Sequence, residues 1–190
     1  MKKSTTFVCP WWLIHSFDNR LRRLVHSPEQ ILGGLIKPGD RCLDVGCGFG
    51  YFSIPMARLA GPEGSVIAVD LQPKMLEGVR RRARKCGVYS RVHLHEARQT
   101  NLQLAGQFDF ILCFWMLHEV PDQRAFLAQL VDLLKVDGLF LLAEPKIHVN
   151  TAAFRKTVRL AEGIGFRKSG GPQIFFSRTA LMGKRPPGAS

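Results

Sequence analysis

Between residues 41 and 145 the chain alternates short, almost wholly apolar runs with segments whose apolar residues recur at helical spacing. The apolar runs are RCLDV (41–45), SVIAVD (65–70), RVHLHEA (91–97), FDFILCFW (108–115) and GLFLLAEP (138–145), all of strand length. Few polar residues interrupt them, as strands covered on both faces require. Strands separated by helices over about 110 residues, with short turns between, imply right-handed crossovers and a parallel, doubly wound sheet in an α/β protein.

The helices between them carry their own punctuation. Ser27-Pro28-Glu29-Gln30 offers an N-cap, a proline at the first helical position and a capping-box glutamine, which predicts a helix ending between Gly33 and Ile36. YFSIPMARLAG (51–61) predicts the next. Gln72-Pro73 opens a third, with Met75, Val79, Ala83 and Cys86 inward and Gly87 as its stop. Its outer face holds Arg80, Arg81, Arg82, Arg84 and Lys85, a solvated cationic stripe. Pro121-Asp122 starts a helix with Phe126, Leu127, Leu130 and Leu134 inward, and a last helix is predicted over 152–162. Beyond it, GFRKSGGPQIFFSRTALM (165–182) holds two strand-like runs split by Gly170-Gly171-Pro172, which predicts an antiparallel hairpin strand at the C-terminal end. The expected organisation is one domain over 37–183, an N-terminal segment and helix over 1–36, and a disordered tail over 184–190.

Composition narrows the setting. Twenty-seven Lys plus Arg against 15 Asp plus Glu give a formal charge of +12, which favours anionic contacts but specifies no partner. Cys9, Cys42, Cys47, Cys86 and Cys113 are odd in number and scattered, without a C-x-x-C pair, so neither a disulfide framework nor a metal site is expected and a reducing cytoplasm fits. Lys2 and Lys3 precede the apolar FVCPWWLIHSF (7–17) as in a secretion signal, yet Pro10 breaks the run, His15 and Asp18 end it, and no small-residue cleavage site follows. No run approaches the ~20 apolar residues of a membrane span; FILCFWML (110–117) is the longest.

The chemistry concentrates at strand ends. In LDVGCGFG (43–50), Gly46, Gly48 and Gly50 sit at a strand-to-helix turn, where they let the backbone bend and a ligand approach it. The spacing is G-x-G-x-G rather than G-x-G-x-x-G. Asp44, two residues ahead, would repel a pyrophosphate but attract an ammonium or sulfonium. Asp70 ends the second run, where a carboxylate accepts from both hydroxyls of a ribose. Glu96-Ala97 follows the third, offering an acceptor to an adenine amino group.

With these motifs the chain, from about Lys37 onward, resembles the class I S-adenosylmethionine-dependent methyltransferases. LDVGCGFG matches the first motif of that family, VIAVD the second, HEA the third and FDFILCFWMLHEVPD the fourth. LLKVDGLFLLAEP is similar to its L-K-P-G-G turn, with Val136 and Asp137 in place of Pro and Gly. Within the class it looks most like the type-11 group related to ubiquinone and menaquinone C-methyltransferases. The resemblance implies a Rossmann-like fold and S-adenosylmethionine as cofactor. It also implies binding roles for Asp44, Gly46 and Gly48 toward the methionine end, Asp70 toward ribose, and Leu71, Glu96 and Ala97 around adenine, with Gly50 and Phe114 as further cofactor-binding residues. A methyl acceptor that is a small molecule is expected; a nucleic-acid substrate is the alternative suggested by the charge, and a non-catalytic S-adenosylmethionine-binding protein is another. Against the nucleic acid, CFWM lacks the Asp-Pro-Pro-aromatic pattern of amino-group methylators.

Two histidines are candidate general bases: His118, just after the fourth strand, and His15 in the opening segment. Structural histidines are the competing reading for both. His93 and His95 are expected on an exposed face, and Cys47 and Cys113 as packing residues. Only KIHVN (146–150) separates the fifth strand from the last helix, so cover for the acceptor is expected from the opening segment, with Trp11, Trp12, Ile14 and Phe17 as an apolar lid.

Overall fold

A computed structural model describes residues 26–185 of the protein. The lid candidates Trp11, Trp12, Ile14 and Phe17, together with Cys9 and His15, lie outside the described residues. The elements in chain order are α1 (Pro28–Leu32), β1 (Arg41–Val45), α2 (Ser53–Leu59), β2 (Ser65–Asp70), α3 (Pro73–Lys85), β3 (Val92–Glu96), β4 (Phe108–Phe114), α4 (Gln123–Leu133), β5 (Leu134–Pro145), α5 (Thr151–Gly163), β6 (Phe166–Gly170) and β7 (Ser177–Lys184). Side chains cap three helix starts: Ser27 accepts the Gln30 amide, Asp122 that of Ala125 and Asn150 that of Ala153.

One seven-stranded sheet runs in the order β3-β2-β1-β4-β5-β7-β6. The strands from β3 through β5 pair in parallel, and β7 is antiparallel to both β5 and β6. The order reverses between β1 and β4, the switch point at whose carboxyl edge such sheets open a crevice. Apolar residues from both faces of the strands are buried: Cys42, Val66, Phe110 and Leu141 pack toward α2 and α3, whereas Leu43, Ile111, Phe140 and Leu142 pack toward α4 and α5.

Five details depart from the sequence expectation. The turn resembling L-K-P-G-G is absent, because α4 ends at Leu133 and β5 begins at Leu134. Phe108 pairs with Leu134 and Phe110 with Leu139, so Lys135 to Gly138 bulge out of the ladder while Lys135 donates to Asp109 at 2.7 Å. The run QIFF is not strand: Pro172 has no N–H to give, and pairing resumes only at Ser177. Cys86 is half-buried rather than inward, and Leu134 belongs to β5 instead of α4. His95 is half-buried and donates from Nε2 to the Leu102 carbonyl at 2.7 Å, whereas His93 is exposed as expected. That bond, with the Leu102 amide on Gln129 Oε1 at 2.9 Å, secures the helix-free connection from β3 to β4.

Gly78 on α3 has no room for a side chain, since a Cβ there would lie 2.3 Å from the buried ring of Phe49 in the glycine loop. Gly78→Ala gains about 1 kcal/mol of helix propensity but forces the ring aside at roughly 1–3 kcal/mol. Urea denaturation is therefore expected to show a net loss of about 1 kcal/mol rather than the stabilisation usual for Gly→Ala in a helix.

Candidate functional site

The glycine loop leaves β1 in three left-handed steps, with φ of +71° at Gly46, +52° at Gly48 and +78° at Gly50. The amides of Gly46 and Cys47 both donate to the Val69 carbonyl at 2.9 Å, which ties the loop to the end of β2. The Gly48 amide donates to Asp70 Oδ2 at 3.0 Å, and the Gln72 amide to Asp70 Oδ1 at 3.0 Å. A Cβ at Gly46 would strike Met116 at 2.8 Å, so that glycine serves close approach of the segment after β4. At Gly48 a Cβ would meet nothing within 4 Å, leaving the backbone open to a ligand.

Strand register brings the other predicted residues to the same edge. Asp70 stands opposite Glu96, Val45 opposite Val69 and Cys113. Glu96 is exposed, Ala97 is buried and donates its amide to the Asp70 carbonyl at 3.1 Å, and Leu71 is 36% exposed. Phe114 is buried against Phe52, ring centroids 4.4 Å apart. Asp44 is 2% exposed and accepts from the Ser53 hydroxyl at 2.5 Å, so it sits within the protein rather than on the loop surface. Burial raises the Asp70 pKa above the usual carboxylate range, opposed by the Gln72, Gly48 and Leu71 amides. Burial likewise pushes the Cys42, Cys47 and Cys113 thiols up, so none is a ready nucleophile.

His118 follows β4 in a 3-10 turn, Leu117–Glu119. Its Nδ1–H donates to Glu144 Oε2 at 2.5 Å, and the Leu117 amide donates to Glu144 Oε1 at 2.9 Å. Glu144, on β5, is 2% exposed. Desolvation disfavours the charged imidazole, but the hydrogen bond and charge of Glu144, with Glu119, outweigh it and the His118 pKa is raised. The His148 ring stacks on His118 with centroids 5.6 Å apart. Gln123 Nε2 donates to the Leu117 carbonyl at 3.1 Å, and the Thr157 hydroxyl to Gln123 Oε1 at 3.0 Å. These side chains, with Val149 and Ala153, line a cavity of about 230 Å³. The sequence reading missed Glu144, His148, Gln123 and Thr157. A visible signal existed only for Glu144, a carboxylate in the otherwise apolar GLFLLAEP.

Beside this cavity Trp115 holds φ +59°, its amide on the Ala143 carbonyl at 2.8 Å and its indole N–H on Ser177 Oγ at 2.9 Å. The buried His26 packs edge to face on both Phe114 and Trp115, whose rings are tilted 30° to one another.

The cofactor-side residues fit an adenosine ligand with a cationic end. The Gly48 backbone is open, and the Asp70 carboxylate, held by the Gly48, Gln72 and Leu71 amides, keeps acceptor capacity for a ligand hydroxyl. A methyltransferase-domain family matches residues 36–163. The chain is 32% identical over 155 residues to a ubiquinone biosynthesis O-methyltransferase of Xanthomonas axonopodis pv. citri, covering 81% of this chain and 63% of the relative. It is 35% identical over 127 residues to the enzyme of that description in Xanthomonas campestris pv. campestris, covering 67% and 51%. It thus spans about half to two thirds of the length of these curated relatives. Among solved structures, an S-adenosylmethionine-dependent methyltransferase from Aquifex aeolicus superposes with a TM-score of 0.83 at 21% identity, over 92% of this chain and 98% of that one. Magnesium protoporphyrin IX methyltransferase from Synechocystis, solved with bound S-adenosylmethionine, gives 0.65 at 22% over 86% and 79%. Both share the fold. Glycine loop, strand-end acids and sequence match converge: the chain belongs to the class I S-adenosylmethionine-dependent methyltransferases, with S-adenosylmethionine as its cofactor.

Proposed function

We propose that the protein methylates an oxygen of a small-molecule acceptor, with His118 as the general base. The observation that carries this is the His118–Glu144 pair lining a cavity at the strand edge that also bears the glycine loop. The relatives named for O-methylation in ubiquinone biosynthesis support oxygen rather than carbon as the receiving atom.

When bound, S-adenosylmethionine supplies a sulfonium methyl for in-line displacement. In this reading Asp70 holds the ribose, Leu71, Glu96 and Ala97 border the adenine, and the loop from Gly46 to Gly50 takes the methionine end, with the buried Asp44 adding its negative charge from beneath. Glu144 accepts the Nδ1 proton of His118, which fixes the tautomer with Nε2 as the basic nitrogen. Nε2 then takes the proton of the acceptor hydroxyl as its oxygen attacks, a contribution worth about 10²–10⁴ in rate. The Gln123–Thr157 pair holds the turn that carries His118 through the Leu117 carbonyl. Because the His118 pKa is raised above 6.5, the base is increasingly neutral, and kcat/KM rises, as pH climbs through that raised value.

The test is incubation with methyl-labelled S-adenosylmethionine and a panel of phenols, catechols and enols beside amine, thiol and RNA acceptors. Label on a hydroxylated acceptor, lost in His118→Asn with S-adenosylhomocysteine binding retained, supports the reading. Label on RNA or an amine alone overturns it. Trp11, Trp12 and Phe17 complete the proposal as an apolar cover. Trp11→Ala/Trp12→Ala is expected to lower kcat about tenfold or more with little change in melting temperature; a fall in melting temperature at unchanged kcat rejects the cover.

A further inference from the structure

Three large apolar side chains stand exposed together where the carboxyl ends of β5 and β7's neighbouring loop meet. Ile147 is 87% exposed, Phe175 59% and Phe176 62%. They come from two connections, β5–α5 and β6–β7, joined by the Lys146 amide donating to the Phe176 carbonyl at 2.8 Å. Phe175 and Phe176 pack edge to face at 4.2 Å.

The projection is built into the backbone. Ile174 is buried and anchors the loop. The Phe175 carbonyl accepts from His26 Nε2 at 2.7 Å and from the Ser177 hydroxyl at 3.3 Å. With both phenylalanine carbonyls tied down, and Phe176 held at φ +54°, a conformation aromatic residues rarely adopt, the rings stay directed outward.

The chain that carries the patch is cationic: from Lys146 to Arg178 it holds seven Lys or Arg and one acid, Glu162. Lys146, Arg155 and Lys156 are exposed. Apolar tips with an exposed Lys146 beside them and exposed cations on the helix that follows match an anionic lipid surface, where the tips enter the acyl boundary and the cations meet phosphates. A second copy would set like charges against one another, and a protein interface core is depleted of charge. We infer that Ile147, Phe175 and Phe176 dock the protein on anionic membrane surfaces. The docking is independent of which acceptor is methylated.

The test is sedimentation of the full chain with vesicles of phosphatidylcholine alone or mixed with phosphatidylglycerol. Binding is expected only to the anionic vesicles, weakened by salt, and reduced about tenfold or more by Ile147→Ser/Phe175→Ser/Phe176→Ser. Lys146→Glu/Lys156→Glu keeps the apolar tips and is expected to weaken binding at least about fivefold. Both variants are expected to retain S-adenosylhomocysteine binding, which shows that they are folded. Failure to bind anionic vesicles overturns the inference, as does binding unchanged in the serine variant, which would leave charge alone at work. A concentration-dependent dimer in light scattering that the serine variant abolishes would reassign the patch to self-association.

Discussion

Asp70→Asn is expected to lower affinity for S-adenosylhomocysteine on the order of 100-fold while leaving the ligand-free protein as stable as the parent, or more so, at neutral pH. The affinity loss follows from a charge-assisted bond to ribose, worth up to roughly 3 kcal/mol. The stability follows from the direction of its pKa shift. Burial raises the folded-state pKa above 3.8, so between 3.8 and that raised value the folded chain binds more protons than the unfolded one. Stability from this group is therefore greatest in acid and declines as pH rises through the window, making ionised Asp70 unfavourable at neutral pH. Asparagine removes that charge and its side-chain oxygen still accepts from the Gly48 or Gln72 amide. Calorimetric titration and melting curves at pH 4 and 7 check both halves. Unchanged affinity would remove Asp70 from the cofactor site.

Glu144→Gln is expected to reduce kcat on the order of 10²–10³ with KM for S-adenosylmethionine unchanged. Glutamine fills the same buried volume, and its Oε1 still accepts the Leu117 amide. Its amide group, however, faces His118 Nδ1 as a donor, so the imidazole turns to the tautomer carrying its proton on Nε2, the wrong one for a base. The charge that raises the His118 pKa disappears as well, and the acidic limb of residual activity moves to lower pH. A purely structural Glu144 would instead lower the melting temperature and leave kcat and the limb in place. A kcat within about threefold of the parent rejects the base mechanism.

That the candidate cofactor residues share one edge was legible because their signals are local. Glycines at 46, 48 and 50 lie within one turn, and Asp70 and Glu96 each close an apolar run, so strand order alone brings them together. On the cavity side the sequence singled out His118. Its partner Glu144 stands out as the lone carboxylate of an apolar strand, but it is 26 residues away and no spacing pattern ties it to His118. His148 and Thr157 arrive from α5 and its leading loop by packing alone. The QIFF segment misleads for the opposite reason. Its aromatic composition suits a strand, but Pro172 and the φ of +156° at Gly171 set its backbone outside the ladder. Lys135 to Gly138 mislead similarly, because a family turn was expected where the chain passes from helix to strand without one.

The single residue Trp115 joins β4 to the Ala143 carbonyl of β5 and to Ser177 at the start of β7. Three strands are thereby cross-braced at the end that bears His118 and Glu144. At the opposite margin β3 is an edge strand, and the segment leading from it to β4 has no helix of its own, relying on His95 and Gln129 for attachment. The two margins are thus held differently: on the proposed reading, the cross-braced one carries the group that would take the proton, and the helix-free one is where the adenine would enter and leave. A methyl donor that is consumed at every turnover has to be exchanged each time, and on that reading the exchange would pass a margin held by the His95 and Gln129 bonds rather than by those of Trp115.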